Sequence, residues 1–143
     1  MNLRQLIAVK RSWKMNDWGL LIFRVMVSLS LFIHHGWEKL SGFSRMAQHF
    51  PDPIHIGVVP SLLYAAFADG ICTVLMILGL ATRWAALFSF INLGVAWAFL
   101  HHFMFFGREA DHGELIVLYL AVMVALFLAG GGKYSLDERW LDQ

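Results

Sequence analysis

The chain has 143 residues, of which 59% are hydrophobic and 15% are charged, and its formal net charge at pH 7 is +1. Soluble domains contain roughly 45–50% apolar and roughly 25% charged residues, so this composition indicates an integral membrane protein, and the length predicts a single domain. The small net charge argues against a nucleic-acid-binding surface, and the single cysteine, Cys72, excludes an internal disulfide or a thiol redox pair.

Four apolar runs each approach the roughly 20 residues that cross the hydrocarbon of a bilayer. The chain divides into an N-terminal segment of residues 1–17, a membrane domain of residues 18–131 and a tail of residues 132–143. The predicted spans within the domain are residues 18–36, 62–80, 84–106 and 115–130. The even number of spans and their short connections predict an all-α, antiparallel four-helix bundle in the membrane.

Basic residues outside the spans are more numerous at one end of the predicted bundle. Seven lie at that end, namely Arg4, Lys10, Arg11, Lys14, Arg83, Lys133 and Arg139. Three lie at the other end, namely Lys39, Arg45 and Arg108. Because cytoplasmic flanks are enriched in Lys and Arg, we expect a multi-pass protein of the bacterial inner membrane with both termini in the cytoplasm. All seven histidines then lie near the extracytoplasmic face: His34, His35, His49, His55, His101, His102 and His112.

Two charged residues fall well inside the predicted spans. Arg24 and Asp69 each cost roughly 2.5–3.5 kcal/mol at the centre of a membrane helix. Their depths differ by about 7 Å at the helical rise, which a long guanidinium side chain can cover. The sequence therefore predicts a buried Arg24–Asp69 pair. The alternatives are a purely structural staple between the first two helices, or an Arg24 side chain that extends to the cytoplasmic phosphates.

One face of the first predicted helix carries polar residues at helical spacing, interrupted by a leucine. Its members are Arg24, Ser28, Leu31, His35 and Lys39. We expect an outward-opening pocket that is lined by Arg24, His35, Lys39, Asp69 and Glu114. A carboxylate beside a cationic face and an imidazole can bind a quinone head group or a small anion and relay its protons outward. A structural network, with Glu114 as a helix cap, would use the same residue types.

The paired histidines also allow a metal or heme hypothesis. His34-His35 and His101-His102 fall at matching depth on the first and third spans, where two imidazoles can ligate a heme. Zinc or copper held by His35, His102 and His112 is a second form of this hypothesis. No tight ligand spacing such as HExxH occurs, and adjacent histidines diverge on a helix. The alternative is that these histidines simply populate the membrane interface.

Several short motifs in a fixed order resemble the DoxX family of small four-helix bacterial membrane proteins over about residues 21–137. They are Arg24, His35-Gly36-x-x-Lys39-Leu40, Asp69, Gly79-Leu80-x-Thr82-Arg83-x-Ala85-Ala86-Leu87, His112-Gly113-Glu114 and Gly131-x-Lys133-Tyr134-Ser135-Leu136-Asp137. Two positions depart from the family pattern, because Asp69 stands where a glutamate is usual and Ser28 where a glycine is common.

The resemblance implies a quinone-linked or redox-associated membrane subunit, since some related proteins are similar to the membrane subunit of a thiosulfate:quinone oxidoreductase. The chain carries no flavin or dinucleotide motif, so electron transfer would require a redox partner protein. The alternative is a non-enzymatic scaffold or small-molecule carrier, and the metal or heme protein is a third class. Contacts with the lipid bilayer and assembly into a homo-oligomer are further expectations.

The predicted topology can be tested by cysteine labelling in a Cys72→Ser background. We expect Ser44→Cys, in the long outer connection, to react with a membrane-impermeant maleimide in intact cells. Lys10→Cys should react only after the cells are permeabilised, because the charge bias places it in the cytoplasm. Labelling of position 10 in intact cells would contradict this topology.

Overall fold

The computed structural model describes residues 14–103 and 113–141. Helices and their connecting turns account for these residues, and no strand occurs among them. The helices are α1 (Lys14–Leu31, continued by Phe32–Gly36 and Trp37–Ser41), α2 (Phe43–Met46), α3 (Val58–Ala66, continued by Phe67–Ile71 and Cys72–Leu78), α4 (Thr82–Val95, continued by Ala96–Leu100), α5 (Gly113–Ala129) and α6 (Leu136–Leu141).

Three of these helices are long and apolar enough to cross a membrane. They cover Asp17–Ser41, Val58–Leu78 and Thr82–Leu100, and they correspond to the first three predicted spans. The fourth predicted span corresponds to the shorter apolar helix Gly113–Ala129. The structure thus confirms an all-helical chain with three candidate spans, and the complete four-helix bundle stays a prediction.

A π-helical turn interrupts each of the three long helices. These turns are Phe32–Gly36 in α1, Phe67–Ile71 in α3 and Ala96–Leu100 in α4. The turns of α1 and α3 pack against each other. In α3, the Thr73 hydroxyl donates hydrogen bonds to the backbone oxygens of Asp69 at 2.6 Å and Gly70 at 2.7 Å. Such turns expose backbone groups that need other partners, and they are frequent at functional sites.

Glycine allows α1 and α3 to approach closely at these turns. A Cβ atom on Gly36 would collide with the backbone oxygen of Asp69, and one on Gly70 would lie 2.8 Å from the side chain of Leu40. The two backbones are therefore in direct contact here, which fixes the depth of Asp69 relative to the end of α1.

The two ends of the bundle differ in packing. We call the end that carries His34, His35 and His101 the histidine end, and the opposite end, with the α3–α4 turn and α6, the tail end. The apolar core includes Met76, Ala86 and Leu126, and α4 packs along α5. Toward the histidine end, Val58–Ala66 of α3 has few contacts with α4. The bundle is thus closed at the tail end and open at the histidine end.

Arg24 belongs to the closed tail end. Its side chain is fully buried, and its guanidinium donates hydrogen bonds to the backbone oxygens of Gly131 and Tyr134. These carbonyls lie just beyond the end of α5, outside the hydrogen-bond ladder of that helix. Asp137 completes the arrangement, because its carboxylate accepts hydrogen bonds from the backbone N–H groups of Ala81 at 2.6 Å and Thr82 at 2.9 Å.

The predicted Arg24–Asp69 pair is therefore wrong. The guanidinium lies against Gly79, where a Cβ atom would be 2.6 Å from Nη1. Gly79 is ten residues from Asp69, or about 15 Å along a helix. The comparison of helix depths failed for two reasons. The tail folds back over α1 and supplies carbonyl acceptors near Arg24. Asp69 lies level with Gly36, toward the other end of α1.

The close approach at Gly36 predicts a strong effect of one added methyl group. Gly36→Ala should lower the free energy of unfolding by roughly 1–3 kcal/mol, because the α3 backbone cannot move aside easily. Gly19→Ala is the control in the same helix, since no atom lies within 4 Å of the added Cβ. We expect it to be neutral or to stabilise the helix by up to about 1 kcal/mol. Thermal unfolding in detergent measures both, and equal behaviour of the two variants would contradict the packing argument.

Candidate functional site

A cavity of about 550 Å³ lies in the histidine half of the bundle. This volume falls within the roughly 300–1,000 Å³ that is usual for small-molecule sites. Its wall is mostly apolar and comes from α1, α3, α4, α5 and the connection before α3. The polar residues in the wall are His35, Lys39, Ser61, Tyr64, Asp69, Asn92, His101 and Tyr119.

A buried ion pair forms the polar centre of this wall. Lys39 Nζ lies 2.9 Å from Asp69 Oδ2, and the two side chains are only 12% and 6% exposed. Asn92 Nδ2 donates a hydrogen bond to Asp69 Oδ1 at 3.0 Å, and Lys39 Nζ donates one to the backbone oxygen of His35 at 3.0 Å. Both carboxylate oxygens thus have partners, which makes a charge inside an apolar helix tolerable.

The helices position this pair from three directions. The contact between Gly36 and the Asp69 backbone places Lys39, one turn further along α1, beside the carboxylate. Asn92 reaches the same carboxylate from α4. Ser89, one turn before Asn92, donates a hydrogen bond to the Ala68 backbone oxygen at 3.0 Å and links α4 to the π-turn of α3.

Two tyrosines, one on α3 and one on α5, also line the cavity and hold its walls together. The Tyr64 hydroxyl donates a hydrogen bond to the Phe88 backbone oxygen at 3.1 Å, which joins α3 to α4. The hydroxyl groups of Ser30 and Tyr119 lie 2.9 Å apart and join α1 to α5. These bonds leave the phenol rings in the wall as flat apolar surfaces with a polar tip.

Asp52 fixes the connection that lies over α3. Its carboxylate accepts hydrogen bonds from the backbone N–H groups of Ile56 at 3.1 Å and Gly57 at 2.8 Å, and from the Ser61 hydroxyl at 2.8 Å. Desolvation acts to raise the pKa of Asp52, but the hydrogen bonds and the nearby charge of His55 outweigh it, so the pKa is lowered. An ionised Asp52 therefore holds the connection, with its cavity-lining prolines Pro51 and Pro53, against the start of α3.

The structure brings together three of the five predicted pocket residues. His35, Lys39 and Asp69 line the cavity, whereas Arg24 and Glu114 do not. Arg24 is held at the tail end, as described above. Glu114 is exposed on the first turn of α5, and the next two residues contribute to the cavity wall instead. Glu114 therefore remains at the surface of the protein.

The described part of the chain contains no cluster of possible metal ligands. Among residues 14–103 and 113–141, no group of three or more His, Cys, Asp or Glu side chains can hold a metal ion. His102 is exposed and does not line the cavity that His35 lines. His112 lies outside the described residues.

The sequence analysis does not identify Ser61, Tyr64, Asn92 or Tyr119 as wall residues. One signal was available: Ser61, Ala65 and Asp69 follow each other at a spacing of four residues and share one helix face. Asn92 is both a contact and a wall residue. No sequence signal identified the two tyrosines, because their roles depend on how neighbouring helices diverge.

Comparison with known proteins shows similarity across nearly the whole chain. The DoxX family profile matches residues 19–102. An uncharacterized protein of Haemophilus influenzae is 31% identical over 136 residues, which cover 89% of this chain and 94% of that protein. The inner membrane protein YqjF of Escherichia coli is 28% identical, and the match covers 87% of this chain and 94% of that protein. The inner membrane protein YphA of the same organism is 31% identical, and the match covers 84% of this chain and 89% of that protein.

No solved structure matches the chain significantly. The apolar helices and these relatives support a bacterial inner membrane protein.

The revised pairing predicts which charged residues are energetically coupled. In a double-mutant cycle, Lys39→Met and Asp69→Asn should show a coupling energy of about 0.5–3 kcal/mol, because the two side chains form one hydrogen-bonded unit. Arg24→Leu combined with Asp69→Asn is the control, and these losses should add within about 0.5 kcal/mol. Unfolding in detergent measures the cycle. Strong coupling of Arg24 to Asp69, with additive losses for Lys39 and Asp69, would contradict the observed pairing.

Proposed function

Because the chain belongs to the DoxX family, we propose that it binds a quinone, or a similar neutral lipid-soluble molecule, in the cavity and acts as the membrane subunit of a redox-associated system. The observation that carries this proposal is the Lys39–Asp69 ion pair in the wall of a mostly apolar cavity. The ion pair offers hydrogen bonds to a polar ring, and the apolar wall offers contact to the rest of the molecule.

The charge balance favours a neutral ligand over the small anion that the sequence also allowed. Lys39 is already paired with Asp69 at 2.9 Å. A bound anion would have to compete with this carboxylate at close range, where like charges repel strongly in a medium of low dielectric constant. A neutral ring with carbonyl groups meets no such repulsion.

Hydrogen-bond donors remain available for the carbonyl oxygens of a quinone. Lys39 has three N–H donors, of which two are engaged with Asp69 and with the His35 backbone oxygen. Asn92 has two N–H donors, one of which is engaged with Asp69. The third donor of Lys39 and the second of Asn92 can therefore bind a ligand oxygen without breaking the existing network.

A quinone that accepts two electrons also takes up two protons. His35 lines the cavity and is exposed at the histidine end, and imidazole exchanges protons readily near neutral pH. We assign the proton exchange to this residue. The electrons come from a redox partner protein, since the sequence contains no flavin, dinucleotide or Cys-pair motif.

The second candidate is a carrier that binds the same molecule without electron transfer, and the largely apolar wall of the cavity favours it equally. Purification distinguishes the two. A redox subunit should purify with a partner that reduces the bound quinone, whereas a carrier should bind the quinone and leave its redox state unchanged.

Binding of duroquinone to the detergent-purified protein, measured by equilibrium dialysis, tests the site. Asp69→Asn should weaken binding about tenfold, equivalent to about 1.4 kcal/mol, because Lys39 loses the partner that fixes its position. Glu114→Gln is the matched control, and it should bind like the wild type because Glu114 lies outside the cavity wall. Benzoate, as an anionic probe, should not compete. A wild-type protein that does not bind duroquinone, or equal losses in the two variants, would contradict the proposal.

A further inference from the structure

Helices α3 and α4 separate on the way to the histidine end. They pack together along Phe67–Ile71 and Cys72–Leu78 of α3, but Val58–Ala66 has few contacts with α4. The rings of Phe67 and Phe88 pack edge-to-face, with centroids 5.5 Å apart, where the separation begins. The hydrogen bond from Tyr64 to the Phe88 backbone oxygen bridges the helices at the same level. Beyond this point α3 and α4 are joined by side chains such as Asn92 and Asp69 rather than by close backbone packing, and we call the space between the two helices the α3–α4 gap.

Side chains of α4 line the cavity next to this gap. Ile91 and Val95 are one turn apart and both line the cavity. Ile91 is nevertheless 43% exposed, unlike Leu93, which is 8% exposed. Ile91 follows Thr82, the first residue of α4, by nine residues, or about 13.5 Å of helix. The hydrocarbon of a bilayer is about 30 Å thick, so this opening faces acyl chains rather than water.

We infer that the ligand of this site has two parts: a neutral head that contacts Lys39, Asp69 and Asn92, and an apolar tail that passes between α3 and α4, beside Ile91 and Val95, into the bilayer. This inference rests on the proposed function and adds the chemical class of the ligand and the residues that select for the tail. The head reaches the ion pair from within the membrane, because the opening lies at hydrocarbon depth. A water-soluble molecule would gain nothing from this exit.

The inference is tested by comparing two probes that share a quinone head. Decylubiquinone carries a ten-carbon tail, and duroquinone carries none. Ile91→Trp should fill the opening and weaken decylubiquinone binding at least tenfold more than it weakens duroquinone binding. Phe90→Trp is the matched control, since Phe90 is the preceding residue, is also exposed, and does not line the cavity. It should leave the binding of both probes unchanged.

The outcomes separate this inference from the proposed function. If the wild type binds both probes and Ile91→Trp leaves decylubiquinone binding unchanged, the tail route is wrong and the binding site stands. Equal losses for the two probes in Ile91→Trp also overturn the tail route. If the wild type binds neither probe, the proposed function fails, and the inference fails with it. Should Ile91→Trp not fold, Val95→Phe tests the same wall, with the same selective loss expected.

Discussion

The direct contact between the backbones of α1 and α3 determines the rest of the histidine half. Gly36 has no side chain, so α1 touches the backbone of Asp69, and the next turn of α1 then brings Lys39 to the carboxylate. A buried carboxylate without a cation would destabilise the protein by several kcal/mol. The helix spacing, the π-turns and the ion pair therefore depend on one another. Any change that separates α1 from α3 at this level leaves Asp69 charged and unpaired in an apolar surrounding.

The two ends of the bundle use their charged residues differently. At the tail end, Arg24 is bound to backbone oxygens of the folded-back tail, and Asp137 binds backbone N–H groups at the start of α4. Both charged groups bind the backbone of a turn, and Arg24 is fully buried there. At the histidine end, Lys39 and Asp69 neutralise each other in the wall of an open cavity. Because the tail end is closed, the histidine end can open without loss of the fold.

Much of the fold follows from the sequence, whereas the pairing of charges does not. The apolar runs predict the three long helices, and helical spacing alone places His35 and Lys39 on one face of α1. The partner of Arg24 was not predictable from helix depth, because it depends on a tail of small and polar residues folding back at Gly131. The exposure of Glu114 depends on the rotation of α5, and the weak periodicity of that almost uniformly apolar helix leaves its rotation undetermined.

The aspartate at position 69 has a physical consequence in this geometry. The family resemblance leads us to expect a glutamate there, whose carboxylate would extend one methylene further from the helix. With the backbones of α1 and α3 in contact at Gly36, the shorter side chain keeps its carboxylate close to α3, and the long side chain of Lys39 covers the remaining distance. The carboxylate thus stays in the wall and both of its oxygens are bound, which leaves the space in front of it free. A longer acid would extend into that space, so the aspartate enlarges the region that a ligand head can occupy.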